Sequence, residues 1–165
     1  MRGEVTKGRV FFELVRQGDA CVLFTLLDKY NVNVLNAHGQ NLLQEAISSG
    51  RYDVAVKILG LNINIDNADY KGQTALHFLA ERKLLELVKL IIRQGADLSI
   101  SDNFGNQPLW TAVFNARGVY DVVYELIING ADPYHKNNAG RAPIDFALQI
   151  QDDTLVCILK NESCA

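Results

Sequence analysis

The chain has 165 residues and carries 16 basic against 19 acidic side chains, a net charge of −3 that leaves no clustered positive surface for a nucleic-acid backbone. Apolar residues make up 48% and charged residues 21%, the balance of a folded soluble domain and not of a disordered tail. No segment approaches the roughly 18 uninterrupted apolar residues of a membrane span, and Glu4, Arg9, Glu13, Arg16 and Asp19 interrupt any signal-like apolar stretch, so a cytoplasmic protein is expected.

In chain order, residues 8–30, GRVFFELVRQGDACVLFTLLDKY, read as a helix pair in which the polar Arg9, Glu13, Arg16 and Gln17 alternate with apolar positions. The chain then repeats itself. NAHGQNLLQEAI (36–47), DYKGQTALHFLA (69–80), DNFGNQPLWTAV (102–113) and NNAGRAPIDFAL (137–148) align on Gly39, Gly72, Gly105 and Gly140, spaced 33, 33 and 35 residues apart. Each glycine suits the tip of a tight turn that needs positive φ. Thr74 is placed to cap the helix that follows, and Pro108 and Pro143 suit the first helical turn, where no amide hydrogen is required. Leu76, Leu109 and Ile144 are expected in the core, and Ala46, Ala80, Ala112 and Ala147 are small enough to let neighbouring units stack.

A second helix follows in each copy, carried by Leu84, Leu85, Leu87, Val88, Ile91 and Ile92 in one and by Val122, Val123, Leu126 and Ile127 in the next. A second marker then recurs, QGADLSISD at 94–102 and NGADPYHKN at 129–137, with the weaker LNINIDNAD at 61–69. Gly95 and Gly130 are read as left-handed helix caps, with Asn62 in that role in the weaker copy. Lys83 occupies a slot where Gly50 and Gly118 stand elsewhere, which predicts a strained helix turn. The longer third spacing places two extra residues near NARGVY as a projecting loop. The C-terminal TLVCILKNESCA reads as a shortened second helix with a polar outer side.

These four registered copies resemble the ankyrin repeat, with its D-x-x-G-x-T-P-L-H-x-A-A opening and later G-A-D, over residues 4–163. The resemblance implies an all-α ankyrin-repeat solenoid forming one domain. Its parts would be an N-terminal cap (4–35), three full repeats (36–68, 69–101 and 102–136) and a C-terminal capping repeat (137–163).

Little of the sequence points to chemistry. His77 stands at the histidine of the repeat's opening, where the family uses the ring to bond neighbouring turns, and His38 and His135 have no metal-ligand spacing with any cysteine. Cys21 and Cys157 sit in apolar helical patterns and are expected in the core, whereas Cys164 is expected to be exposed; free thiols fit a reducing compartment. The glycines come singly, so no phosphate cradle forms, and the Asp152–Asp153 pair reads as a solvated face. No enzyme, cofactor or metal site is expected.

What remains is a surface. The ankyrin resemblance assigns partner contacts to turn-tip residues and to residues late in the first helix of each repeat. Carried onto this chain, the principal candidates are Tyr70, Lys71, Glu81, Arg82, Asn103, Phe104, Phe114, Asn115 and Arg141, with aromatic and arginine side chains the natural anchors. Trp110 takes the place of the repeat's histidine and has two readings. Either its indole is packed, with the N–H bonding a turn carbonyl, or it is partly exposed at the floor of the concave face. Phe78 and Phe146 are read as packing between units.

The stretches GNQPLWTAVFNARG and ADPYHKNNAGRAPIDFAL are similar to single-domain bacterial ankyrin proteins, some of which are immunity proteins that bind and neutralise a toxin. A monomeric inhibitor of a toxin domain is therefore expected. The alternative is an adaptor or effector that recruits another protein without catalysis; a structural subunit is a further one.

Overall fold

The computed structural model describes residues 2–17, 20–27 and 32–162, so Cys164 and the end of the C-terminal unit lie outside the described residues. Among the described residues every regular element is a helix. The chain divides into two units, Met1–Tyr70 and Lys71–Ala165.

The first unit contains α1 (Arg2–Gln17), α2 (Ala20–Leu27), α3 (Leu42–Ser48) and α4 (Tyr52–Leu59), with α1 packed on α2 and α3, and α3 on α4. Phe11, Phe12, Val15, Leu23, Leu42, Leu43, Val54 and Ile58 fill its core. Burial of this stripe supplies the main driving force, because isolated helices of seven or eight residues are not stable in water. Asn41 starts α3 through a capping box: its side chain accepts from the Gln44 N–H at 3.0 Å, and Gln44 Oε1 accepts from the Asn41 N–H at 3.0 Å. The Arg51 guanidinium donates to the carbonyls of Arg16 (3.0 Å) and Gln17 (2.7 Å), satisfying groups that the end of α1 leaves without intrahelical partners.

One polar cluster in this unit has no counterpart in the repeat pattern. The buried Glu45 carboxylate accepts from Arg16 Nε at 2.7 Å, from the Asn36 amide at 2.7 Å and from the Ser49 hydroxyl at 3.3 Å. A buried carboxylate persists only when it is paired and hydrogen-bonded, and here it joins α1, the first turn and the end of α3.

The second unit contains α5 (Ala75–Arg82), α6 (Leu85–Arg93), α7 (Pro108–Asn115), α8 (Asp121–Ile128), α9 (Pro143–Gln149) and α10 (Asp153–Leu159). Three helix pairs stack in order: α5, α7 and α9 form one layer, and α6, α8 and α10 form the other. Leu76, Leu79, Val88, Ile91, Leu109, Val123, Leu126 and Leu155 are buried in its core, together with the small Ala80, Ala112 and Ala147. Pro108 and Pro143 stand in the first turns of α7 and α9. Gly95 and Gly130 adopt φ of 89° and 91° after α6 and α8, and the next N–H groups, of Ala96 and Ala131, reach back to Ile91 and Leu126.

Four details differ from the sequence reading or sharpen it. Cys21 is exposed and Cys157 is half-buried, because α2 turns Leu23 inward and leaves Cys21 and Val22 on its outer side. Asn62 is not a left-handed cap: Gly60 ends α4 in the right-handed region with φ −76°, and the Asn62 carbonyl accepts from the Asn33 amide at 3.1 Å. Lys83 does carry the left-handed conformation, φ 57° and ψ 39°, and its ammonium donates to the Ala116 carbonyl at 3.0 Å. The connection from α7 to α8 runs through residues 116–120, with Arg117 and Gly118 both at positive φ (47° and 83°) and exposed, so the extra residues project as a loop.

Candidate protein-binding groove

The second unit presents its turn tips and the first helices of its pairs on one side. Each tip is shaped by a side-chain oxygen that accepts two N–H groups of its own turn. Asp102 Oδ1 accepts from Phe104 and Asn106 (2.8 and 2.9 Å), and Asn137 Oδ1 accepts from Ala139 and Arg141 (3.0 and 3.1 Å). Successive tips are joined by backbone bonds of 2.9 Å, from the Asn103 N–H to the Lys71 carbonyl and from the Asn138 N–H to the Phe104 carbonyl.

The glycines are required twice over. Gly72 and Gly105 have φ of 77°, and a Cβ on Gly105 would lie 2.6 Å from Asn138 Oδ1 and 2.8 Å from its backbone nitrogen. The tips can therefore stack only because no side chain stands between them.

The residue five after each turn glycine sets the next helix. In the first unit this is Gln44, as above; in the second, His77 Nδ1 accepts from the Thr74 N–H at 3.1 Å and Asp145 Oδ2 from the Ala142 N–H at 2.9 Å. Because Nδ1 is an acceptor, the ring proton is on Nε2, which donates to the Asn106 carbonyl at 3.0 Å. His135 Nε2 lies 3.0 Å from the Gly105 carbonyl. Trp110 occupies the same register but its indole has no acceptor atom, so it cannot bond the Gln107 N–H as its counterparts bond theirs.

Released from that duty, the half-buried Trp110 ring joins an aromatic cluster. It stands 6.1 Å from Phe146, which in turn stands 5.4 Å from Phe114, and the Arg141 guanidinium carbon lies 5.8 Å from the Trp110 ring centre. These distances suit tilted aromatic packing and a cation–π contact. The ring is thus packed against Phe146 and at the same time partly exposed, which combines features of both readings of Trp110.

An open groove runs across this side. Seven of the ten sequence candidates line it: Lys71, Glu81, Phe104, Trp110, Phe114, Asn115 and Arg141. Phe104 is 70% exposed and Phe114 58%, so neither ring is in the core. The other three have different places. Tyr70 belongs to the first unit, 74% exposed, with its ring against Gly39 and its N–H donating to the His38 carbonyl at 3.0 Å. Asn103 is part of the scaffold, joined through its N–H to Lys71 and through its carbonyl to the Asn138 amide at 3.1 Å. Arg82 sits beside the groove, its guanidinium carbon 6.0 Å from the Phe78 ring centre and 3.8 Å from Glu81 by its nearer nitrogen.

The sequence reading missed Phe78, which lines the groove although most of its surface is buried. The signal was available: Phe78 and Phe146 both stand six residues after a turn glycine, where the other copies have Glu45 and Thr111. Among the described residues no group of His, Cys, Asp or Glu side chains is arranged to hold a metal ion, and no helix is long and apolar enough to cross a membrane.

A family model described as ankyrin repeats in three copies matches residues 11–102 and 59–137. The chain belongs to the ankyrin-repeat family. The ankyrin pattern also brings relatives from several kingdoms. The Notch-regulated ankyrin repeat-containing protein of Xenopus laevis is 32% identical over 94 residues, covering 54% of this chain and 81% of that protein. A probable palmitoyltransferase, AKR2, of Saccharomyces uvarum is 28% identical over 120 residues, covering 69% of this chain and 16% of that protein. The human BCL-6 corepressor-like protein 1 is 28% identical over 110 residues, covering 66% of this chain but 6% of that protein. This ankyrin chain thus spans a sixth or less of the length of these last two relatives. Ankyrin repeats generally mediate protein–protein interaction, and this chain has the fold for it.

Proposed function

We propose that the chain is a non-catalytic protein-binding module whose partner occupies the groove between Phe104 and Phe114. The observation that carries this reading is the exposure of both rings beside a half-buried Trp110, at positions the fold fills elsewhere with small or polar residues. Transfer of exposed aromatic surface from water into an apolar interface is favourable, and aromatic anchors of this kind dominate interface energetics. The module acts as a cytoplasmic monomer when free. The more specific reading, an immunity protein that binds and neutralises a bacterial toxin domain, rests on the resemblance of residues 105–118 and 131–148 alone. The named relatives are eukaryotic and none is described as an immunity protein.

The test is co-purification from the native host with wild type, with the Phe104→Ala and Phe114→Ala variants, and with Tyr124→Ser as a control on the exposed side of α8. Each aromatic truncation is expected to lose about 2 kcal/mol of binding, roughly thirtyfold in affinity, with the control unchanged. A partner retained equally by all variants would overturn the groove reading. For the immunity reading, the chain is co-expressed with the toxin encoded beside its gene; growth must be restored by wild type and not by the Phe104→Ala, Phe114→Ala double variant.

A further inference from the structure

We propose that the groove selects an acidic–apolar peptide segment: an apolar side chain seated against Phe114 and Trp110, with a carboxylate a few residues away held by Arg141. This deepens the binding reading above and rests on it.

The charge of the groove runs against that of the chain. The whole protein is acidic, with a net charge of −3, yet the groove is lined by two cations, Lys71 and Arg141, and by one carboxylate, Glu81. That carboxylate is itself offset, since Arg82 stands 3.8 Å from it. The local field at the Arg141 end therefore favours an anion, while the rest of the surface repels one.

Arg141 is also prepared for this role. Its backbone N–H is tied to Asn137 Oδ1 at 3.1 Å, which fixes the turn, and its guanidinium lies over Trp110 at 5.8 Å. Among the described residues it has no carboxylate partner. A guanidinium beside an aromatic ring keeps its donors available for a bidentate carboxylate contact. The apolar half of the recognition is supplied by the same ring. Trp110 is near both Arg141 and Phe146, and Phe146 is near Phe114, so cation and apolar floor are adjacent.

A single stacked arginine suits one carboxylate. A phosphate, with nearly two charges, is normally met by several cations, and a nucleic-acid backbone by many more.

The experiment uses the full chain and a random peptide library displayed on phage, followed by calorimetry on the enriched peptides. Enriched sequences are expected to share Asp or Glu within a few residues of Leu, Phe, Tyr or Trp. Their dissociation constants should rise at least tenfold with Arg141→Gln and with Phe114→Ala, and by an intermediate factor with Arg141→Lys, which keeps charge but loses the fork. Tyr124→Ser should change nothing, and raised salt should weaken wild type more than Arg141→Gln. Melting temperatures confirm that each variant is folded. Peptides that need Phe114 but carry no acidic residue, or that bind Arg141→Gln as well as wild type, overturn this inference and leave the groove reading standing. Failure to enrich any sequence sensitive to Phe114→Ala overturns both.

Discussion

Replacing His77 tests how the second unit is held together. The ring is fully buried and satisfies two backbone groups, the Thr74 N–H at the start of α5 and the Asn106 carbonyl in the next turn. His77→Ala removes both partners and leaves a cavity. An unsatisfied buried group costs about 1–3 kcal/mol, with Thr74 at the upper part of that range because it is enclosed. The Asn106 carbonyl belongs to a half-buried residue and water replaces part of the loss, so its share falls at the lower end. With the cavity included, the total is about 3–5 kcal/mol, as large as truncating a core leucine. His77→Gln should cost only about 1 kcal/mol, because Gln44 performs the corresponding capping in the first unit, with Oε1 accepting from Asn41 and Nε2 donating to the Asn67 carbonyl at 3.0 Å. Urea unfolding followed by far-ultraviolet circular dichroism measures both variants. Equal losses for Ala and Gln would refute the capping argument, and a loss under about 1 kcal/mol for Ala would refute the double-bond account.

Trp110→His should at least preserve stability, by restoring an acceptor for the start of α7, while abolishing groove binding; a melting temperature and one titration separate the two effects. Gly105→Ala should cost clearly more than Gly140→Ala, since both pay about 1 kcal/mol for left-handed backbone but only the former meets Asn138, at 2.6 Å, with nothing near Gly140. Lys83→Ala, which keeps φ positive and loses the bond to Ala116, should cost about 1–2 kcal/mol, whereas Lys83→Gly relieves the strain and should change stability by less than about 1. The Asp97 carboxyl is held below the usual carboxylate range, first by the Ser99 hydroxyl and then by its N–H. A depressed folded-state pKa contributes stability above the unfolded value that is lost as pH falls through the folded one. The melting-temperature gap between wild type and Ser99→Ala should therefore close on strong acidification, and a gap that persists refutes the assignment.

Much of this protein is legible in its sequence because the ankyrin repeat writes the same local physics several times. The glycines at 39, 72, 105 and 140 mark turns that only positive φ permits, Pro108 and Pro143 mark helix starts, and the second-helix stripes mark burial; each of these is decided within a few residues. Exposure of Phe104 and Phe114 was likewise readable, through the ankyrin resemblance that assigns their positions to the surface.

Tertiary structure decided what depends on partners distant in sequence. Cys21 follows an apolar pattern yet faces outward, because only the packing of α2 determines which of its apolar residues is inside. Asn62 has the composition of a left-handed cap, but the bond from Asn33, 29 residues earlier, accompanies a different exit from α4. Glu45 is buried, and its partner Arg16 comes from α1, 29 residues earlier, where local sequence gives no sign of the pairing. The groove is the clearest case. Register supplies a list of candidate positions, but Trp110 is placed under Arg141 and beside Phe146 by the stacking of two repeats, and that through-space contact has no trace in the spacing of either.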